Sequence, residues 1–406
     1  MKFHPISKEK EAILKSLPTP SYVLDEENLI INLERLKNIQ DRTGVKVLLA
    51  QKCFSTTALY PLMAKYLWGT VSSGIYESRL AHECFHEAEE TGRVLENHVF
   101  EPAFHSEDIA ELNEIADHII FNSWNQFHKH KAACSKLSIG IRINPECSTQ
   151  CPEHAIYDPC APGSRLGIRI ADMPEELPPE IKGFHMHTLC EQNVDALYTT
   201  FYAMEQRFGK YLHQLEWLNL GGGHYIAHDE YEVERLISLL NYIRETYQLQ
   251  VYLEPGEGVV LNAGYMVTEV MDKVHNGLDI LILDTSAACH MPDVIEGPYL
   301  PPVYGGYEVE GGNALVNPDG VPQEHPYLYR LSSMTCLAGD VTGDYTFDEP
   351  YEIGDKLILE DMALYTIVKN NTFNGMPLPA IRLLDKEGRV SLIKEFGYED
   401  FKYRLG

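Results

Sequence analysis

The sequence predicts an α/β fold, a (β/α)8 TIM-type barrel with a second, mostly β domain of β-barrel or sandwich form. Two observations carry that expectation. Between about residues 46 and 254, short apolar runs alternate with helical patterns, the signature of parallel strands joined by helices. Past about residue 265 the texture changes: Gly, Pro and Tyr become frequent, and short β-like runs replace the helical patterns. The barrel is expected over residues 25–264, and residues 1–24 with 265–406 are expected to form the β domain.

Taken in order, Ser7 is placed to cap a helix through Leu17, which Pro18 and Pro20 end. Ser21–Leu24 reads as a strand. Glu26–Thr43 carries Leu29, Leu33 and Leu36 on one face and stops at Gly44. Barrel strands are expected at 46–50, 70–73, 94–100, 117–121, 138–143, 182–187, 215–220 and 251–254. Helical patterns lie between them, among them Thr56–Trp68, Ile75–Glu90 and Glu230–Tyr247. The stretch 145–163 is a loop long enough to suggest a functional insertion. In the β domain, strands are expected at 264–270, 280–284, 327–332, 356–359 and 389–393.

Composition bounds the partners. A net charge of −27 over 406 residues leaves no basic footprint for nucleic acid; an acidic surface can draw cations such as polyamines toward a cleft, although charge alone favours a role in solubility only. No apolar run approaches a membrane span, and the N-terminal stretch lacks the apolar core of a secretory signal. Nine cysteines scattered through a large chain suggest reduced thiols in a cytoplasm.

Four places carry candidate chemistry. The apolar run Val47–Ala50 stops at Gln51-Lys52, which puts a lysine at the catalytic end of a barrel strand. A partly desolvated lysine there can form a Schiff base with an aldehyde, although a lysine closing a strand is more often simply solvated. Gly221, Gly222 and Gly223 follow the seventh strand signal and can turn successive N–H groups toward a phosphate, or merely make a tight turn. Strand eight ends in Glu254-Pro255-Gly256-Glu257-Gly258, where Glu254 either pairs with a protonated ring nitrogen or caps a turn. His185 and His187 share a strand face. A His-x-His pair can bind zinc, but no third ligand is evident, and His187 is as well placed to stack on a ring. Cys147, Cys151, His154 and Cys160 have no standard zinc spacing, so no metal is expected and the loop reads as substrate-lining, ending in Arg165.

In this order, AQK, GFHMHT, NLGGGH and EPGEG, followed by LSSMTCLAGD and LYTIVKNNTFNGM, resemble the fold-type III pyridoxal-phosphate decarboxylases over nearly the whole chain. YDPCAPGSRLG and DTSAACHMPDV resemble the branch acting on carboxylated triamines. The resemblance implies pyridoxal 5'-phosphate as cofactor and a homodimer with shared active sites. Lys52 is similar to the Schiff-base lysine, His187 to the ring-stacking histidine, and Gly221–Gly223 to the phosphate glycines. Glu254 matches the ring-nitrogen partner, Tyr365 a phosphate contact, and Cys336 the cysteine that reprotonates product from across the interface. Glu257, Asp293 and Asp340 are expected to hold substrate amines. The implied substrate is a cationic carboxylated polyamine, carboxynorspermidine or carboxyspermidine. The alternatives are diaminopimelate, arginine or ornithine decarboxylation, or a non-catalytic cofactor carrier. Where ornithine-type enzymes read EPGR this chain has Glu257, and where they read HxGS it has His187-Thr188-Leu189-Cys190.

Overall fold

The computed structural model describes residues 6–85, 92–297 and 299–406, with the side chains of Glu153 and His154 outside that description. It divides into two compact units: Ile31–Val259, and the described part of Met1–Ile30 together with Val260–Gly406. Among the described residues, no helix is long and apolar enough to cross a membrane.

Ser7 Oγ accepts the Lys10 amide at 3.1 Å and caps the helix Lys8–Lys15. Strand β1 (Ser21–Asp25) leads into the helix Glu26–Thr43, whose Leu29, Leu33, Leu36 and Ile39 are all buried. Gly44, at φ +67°, ends the helix in the left-handed conformation that glycine adopts without penalty.

The larger unit is a closed barrel of parallel strands. They are β2 (Lys46–Ala50), β3 (Gly69–Ser72), β4 (Glu96–Glu101), β5 (His118–Phe121), β6 (Ser138–Arg142), β7 (Ile181–His185), β8 (Trp217–Asn219) and β9 (Gln250–Leu253). Each expected barrel strand is present, because strands buried on both faces read as continuous apolar runs. The helices are less regular. Thr56–Trp68 resolves into a 3-10 turn, Thr57–Leu59, and one short helix, Tyr60–Met63. Ile75–Leu80 runs into a wider turn at Ala81–Phe85, and the rest of the helix expected to Glu90 lies outside the described residues. Val233–Tyr247 starts three residues later than expected.

The barrel interior is filled. A Cβ on Gly140 or Gly183 would come within 2.3 or 1.9 Å of the Trp217 ring, so glycines on β6 and β7 make room for the indole. Trp217 packs with Leu48, Ile120 and Tyr252 and donates from Nε1 to Ser138 Oγ at 2.8 Å. At the N-terminal ends of the strands, the His98 and His118 rings stack 3.8 Å apart, and Glu96 pairs with both His98 and Lys46.

The second unit is built on β10 (Gly264–Asn276), β11 (Leu278–Leu283), β12 (Gly306–Glu308), β13 (Tyr327–Ser333), β14 (Val341–Phe347), β15 (Lys356–Glu360), β16 (Ala380–Leu384) and β17 (Val390–Lys394). Its sheet runs β12-β14-β13-β11-β10-β1-β16-β17, with β15 also on β10. The long β10 serves two sets of neighbours because a bulge between Val270 and Asp272 divides it. The sequence reading has no strand at β12, β14 or β16. In β14, Gly343-Asp344 looks like a turn, yet Asp344 is buried and paired to Arg330 at 2.7 and 2.9 Å.

Candidate active site

At the C-terminal ends of the barrel strands, Lys52, Arg142, Arg165, His185, His187 and Glu254 line a cavity of about 280 Å³. Lys52 lies two residues past the end of β2 and opens to this cavity, while the protein desolvates its amine. That desolvation, and then the Arg142 charge, lower its pKa below the ordinary lysine value, with Glu254 opposing.

Glu254 lies just past β9 at the cavity floor and is buried. Its Oε1 accepts from Asn219 Nδ2 at 2.6 Å and its Oε2 faces His185 Nε2 at 3.1 Å. Burial alone would raise its pKa. The His185 charge and hydrogen bond, then the His98 charge and the Asn219 hydrogen bond, hold it below the usual carboxylate range. Glu254 is also the third group that the His-x-His pair lacked in the sequence. Its carboxylate lies within 4.8 Å of ring nitrogens of His185 and His187.

His187 Nδ1 accepts the Gly222 amide at 3.1 Å, and its main-chain oxygen accepts from Arg142 Nη2 at 3.2 Å. Burial first, then the nearby positive charges, push its pKa well below the ordinary histidine value, so the ring is neutral. Arg142 ends β6, crosses the Phe100 ring at 4.7 Å and is held near pKa 10 by burial. Sequence reasoning missed Arg142 and Asn219. Arg142 has a visible signal, a charge that closes the apolar run of β6 much as Lys52 follows that of β2, four strands earlier.

The glycine turn differs from the expectation in one respect. Gly221 N–H donates to Asn219 Oδ1 at 2.8 Å and Gly222 N–H to His187, so two of the three amides are spent within the protein. The Gly223 amide has no acceptor among the described residues. All three positions exclude a side chain: a Cβ would lie 2.7 Å from His187 Nδ1, 2.2 Å from the Glu254 oxygen and 2.1 Å from the Leu189 oxygen.

The acids expected to hold substrate amines each have partners within the protein. Glu257 does not line this cavity. It is buried against His228 Nε2 at 2.9 Å, and burial raises its pKa. Asp293 has the compensating cation that the sequence hid, since Lys369 bridges it and Glu296. Asp340 is buried and surrounded by hydroxyl donors. These last two lie in the second unit, as do Cys336 and Tyr365. Cys336 is exposed, with its amide on Asn374 Oδ1 at 2.7 Å, and Tyr365 is half-buried at φ 49°. In the loop after β6, burial pushes the Cys160 thiol up to about 11, and the Cys147 backbone hydrogen-bonds to it. The His154 side chain is outside the described residues.

The family model "Pyridoxal-dependent decarboxylase, C-terminal sheet domain" matches residues 21–363. The chain belongs to the pyridoxal-dependent decarboxylases. It is 40% identical to a carboxynorspermidine/carboxyspermidine decarboxylase of Campylobacter jejuni, over 96% of this chain and 99% of that one. It is 39% identical to a carboxyaminopropylagmatine decarboxylase of Synechocystis, over 97% of each. The crystal structure of the Campylobacter jejuni carboxynorspermidine decarboxylase complexed with norspermidine aligns with a TM-score of 0.86, at 39% identity, over 96% of this chain and all of that one. The residues present fit the family's cofactor. A lysine with lowered pKa, an ionised buried carboxylate and a neutral imidazole line one cavity, and the side-chain-free turn that hydrogen-bonds to that imidazole carries an unspent amide.

Proposed function

We propose that this chain removes carbon dioxide from a cationic carboxylated polyamine, carboxynorspermidine or carboxyspermidine, and releases norspermidine or spermidine. The reading rests above all on the Lys52–His187–Glu254 cavity in a chain 40% identical to an enzyme named for those substrates. Bound pyridoxal 5'-phosphate supplies an aldehyde for the substrate amine and a ring that accepts the electron pair left by departing carbon dioxide.

The protein's part is to hold and to move protons. Lys52 provides the amine that retains the cofactor between turnovers, and its lowered pKa favours the neutral nucleophile. With the cofactor bound, Glu254 would accept from its protonated ring nitrogen and keep that ring cationic. His187 presents a neutral ring face, since its Nδ1 is committed to Gly222. The Gly223 amide and the Tyr365 hydroxyl serve the phosphate. Cys336 gives its thiol proton to the substrate carbon that has lost carbon dioxide.

In this reading Cys336 acts in the other subunit of a homodimer. Its turn supports that arrangement: Met334 and Leu337 are each 45% exposed, and Phe373, beside Asn374, is 49% exposed, an apolar surface suited to burial against a second copy. Nine free cysteines support a reducing cytoplasm.

The 39% relative favours a second reading, in which the substrate's far end is a guanidinium rather than an amine. Carbon dioxide release from carboxynorspermidine, carboxyspermidine, carboxyaminopropylagmatine, diaminopimelate, arginine and ornithine tests both. The triamines should exceed the amino acids in kcat/KM by roughly 10²-fold or more. Preferred turnover of the agmatine compound would install the second reading. Preferred turnover of an amino acid, or no turnover at all, would end the first.

A further inference from the structure

Asp340 closes the turn between β13 and β14, and its carboxylate is fully engaged. Oδ2 accepts from Ser286 Oγ at 2.6 Å, Ser333 Oγ at 2.6 Å and Thr335 Oγ1 at 2.5 Å, while Oδ1 accepts the Ala288 amide at 3.1 Å. The Asp340 main-chain oxygen takes a further bond from Ser332 Oγ at 3.0 Å. A carboxylate offers about four lone-pair sites, so these donors leave little for a substrate amine. Only 1% of the residue is exposed.

The geometry of the bonds matters more than their number. Ser333 and Thr335 precede Cys336, and Asp340 follows it, so one carboxylate gathers both ends of the turn that carries the thiol. Ser286 and Ala288 belong to a different segment, the one after β11, where Ser286 Oγ also caps the helix Ala287–His290. The same carboxylate therefore ties the turn to the body of the sheet. From the other side, Asn374 Oδ1 receives the Cys336 amide at 2.7 Å. The turn is clamped at its base, while Cys336 at its apex is exposed.

We propose that Asp340 is a positioning residue: it fixes the turn bearing Cys336 so that the thiol delivers its proton to a single face of the substrate carbon. This rests on the reading of Cys336 as proton donor. In that step the S–H bond breaks and a C–H bond forms from the electron pair left by carbon dioxide. The resulting thiolate regains a proton from water. Facial choice requires the donor to be held on one side, and a free surface turn would not do so.

The test runs the holoenzyme on carboxynorspermidine in D2O and measures kcat, KM and the facial purity of deuterium at the new C–H position, with Tm as a folding control. Wild-type protein should place deuterium on one face. Asp340→Asn should lower kcat about tenfold or more, leave KM within about twofold and give deuterium on both faces, since small misplacements are costly in a positioned proton transfer. A Ser333→Ala/Thr335→Val double variant should behave alike, and it decides the matter should Asp340→Asn fail to fold. A raised KM with facial purity intact would mean that Asp340 binds substrate, overturning the proposal. Wild-type kcat and purity in the folded variants would overturn it as well. Cys336→Ala separates the two layers. If it retains rate and purity, the Cys336 reading fails and this proposal with it. If it loses them while the Asp340 variants do not, only the positioning role fails.

Discussion

The Gly222 amide donates to Nδ1 of His187 across 3.1 Å, and this one bond fixes the imidazole's tautomer. With Nδ1 as acceptor, the ring proton resides on Nε2. Burial and the surrounding positive charges then keep the ring from gaining a second proton.

A protonation-state measurement follows directly. Nitrogen NMR of labelled His187 should show an unprotonated Nδ1 and a protonated Nε2 with no titration between about pH 5 and 8, because a lowered pKa leaves the neutral form in place throughout. An imidazolium signal near pH 6.5 would contradict the assignment.

Glu254→Gln removes the charge but not the shape. Cofactor should remain bound, and kcat should fall on the order of 10²-fold or more, the cost of losing one charged contact to the electron-accepting ring. Nearly unchanged kcat would remove Glu254 from the chemistry.

Lys52 should be the residue fixed to cofactor by borohydride reduction, and Lys52→Ala should abolish turnover. Its amine should also react with added pyridoxal phosphate at a lower pH than exposed lysines do. The sign follows from desolvation, which disfavours the ammonium and so raises the neutral fraction at any given pH. A reduced adduct on another lysine would overturn the site.

Glu257 is predicted to affect stability more than substrate. Its folded pKa is raised, so folding favours the protonated acid; stability is fullest below the unfolded pKa and is lost as pH rises through the folded one. Glu257→Gln should therefore raise Tm by roughly 1–2 °C at pH 8, with the gain shrinking toward pH 4. KM for carboxynorspermidine should stay within about threefold. A large KM increase would return Glu257 to the substrate site.

Mixing inactive Lys52→Ala and Cys336→Ala subunits tests the shared site. Random exchange makes half the dimers mixed, each with one intact site, so about a quarter of wild-type activity should return. No recovery despite demonstrated exchange would place both residues in one chain.

Much of this was legible beforehand because barrel strands advertise themselves. Val47–Ala50 is apolar on both faces, and the charge that ends it can only lie at the strand's mouth. The pairing of charges was not legible. Asp293 looked free because Lys369 is remote in sequence, and Glu257 looked available because nothing local revealed His228. β14 was hidden for a related reason: Asp344 suggests a turn until Arg330 on the neighbouring strand neutralises it. Long-range partners decide the fate of acidic side chains, and single-residue patterns carry no trace of them.

The indole of Trp217, seated over Gly140 and Gly183, binds three positions on three strands into one unit of variation. Homologous chains should exchange them together: a smaller residue at 217 would license alanine or larger at 140 and 183, whereas either glycine alone could not drift while the tryptophan stays. Aligned relatives should thus show correlated substitution at these sites, independent of whatever substrate each one has come to use.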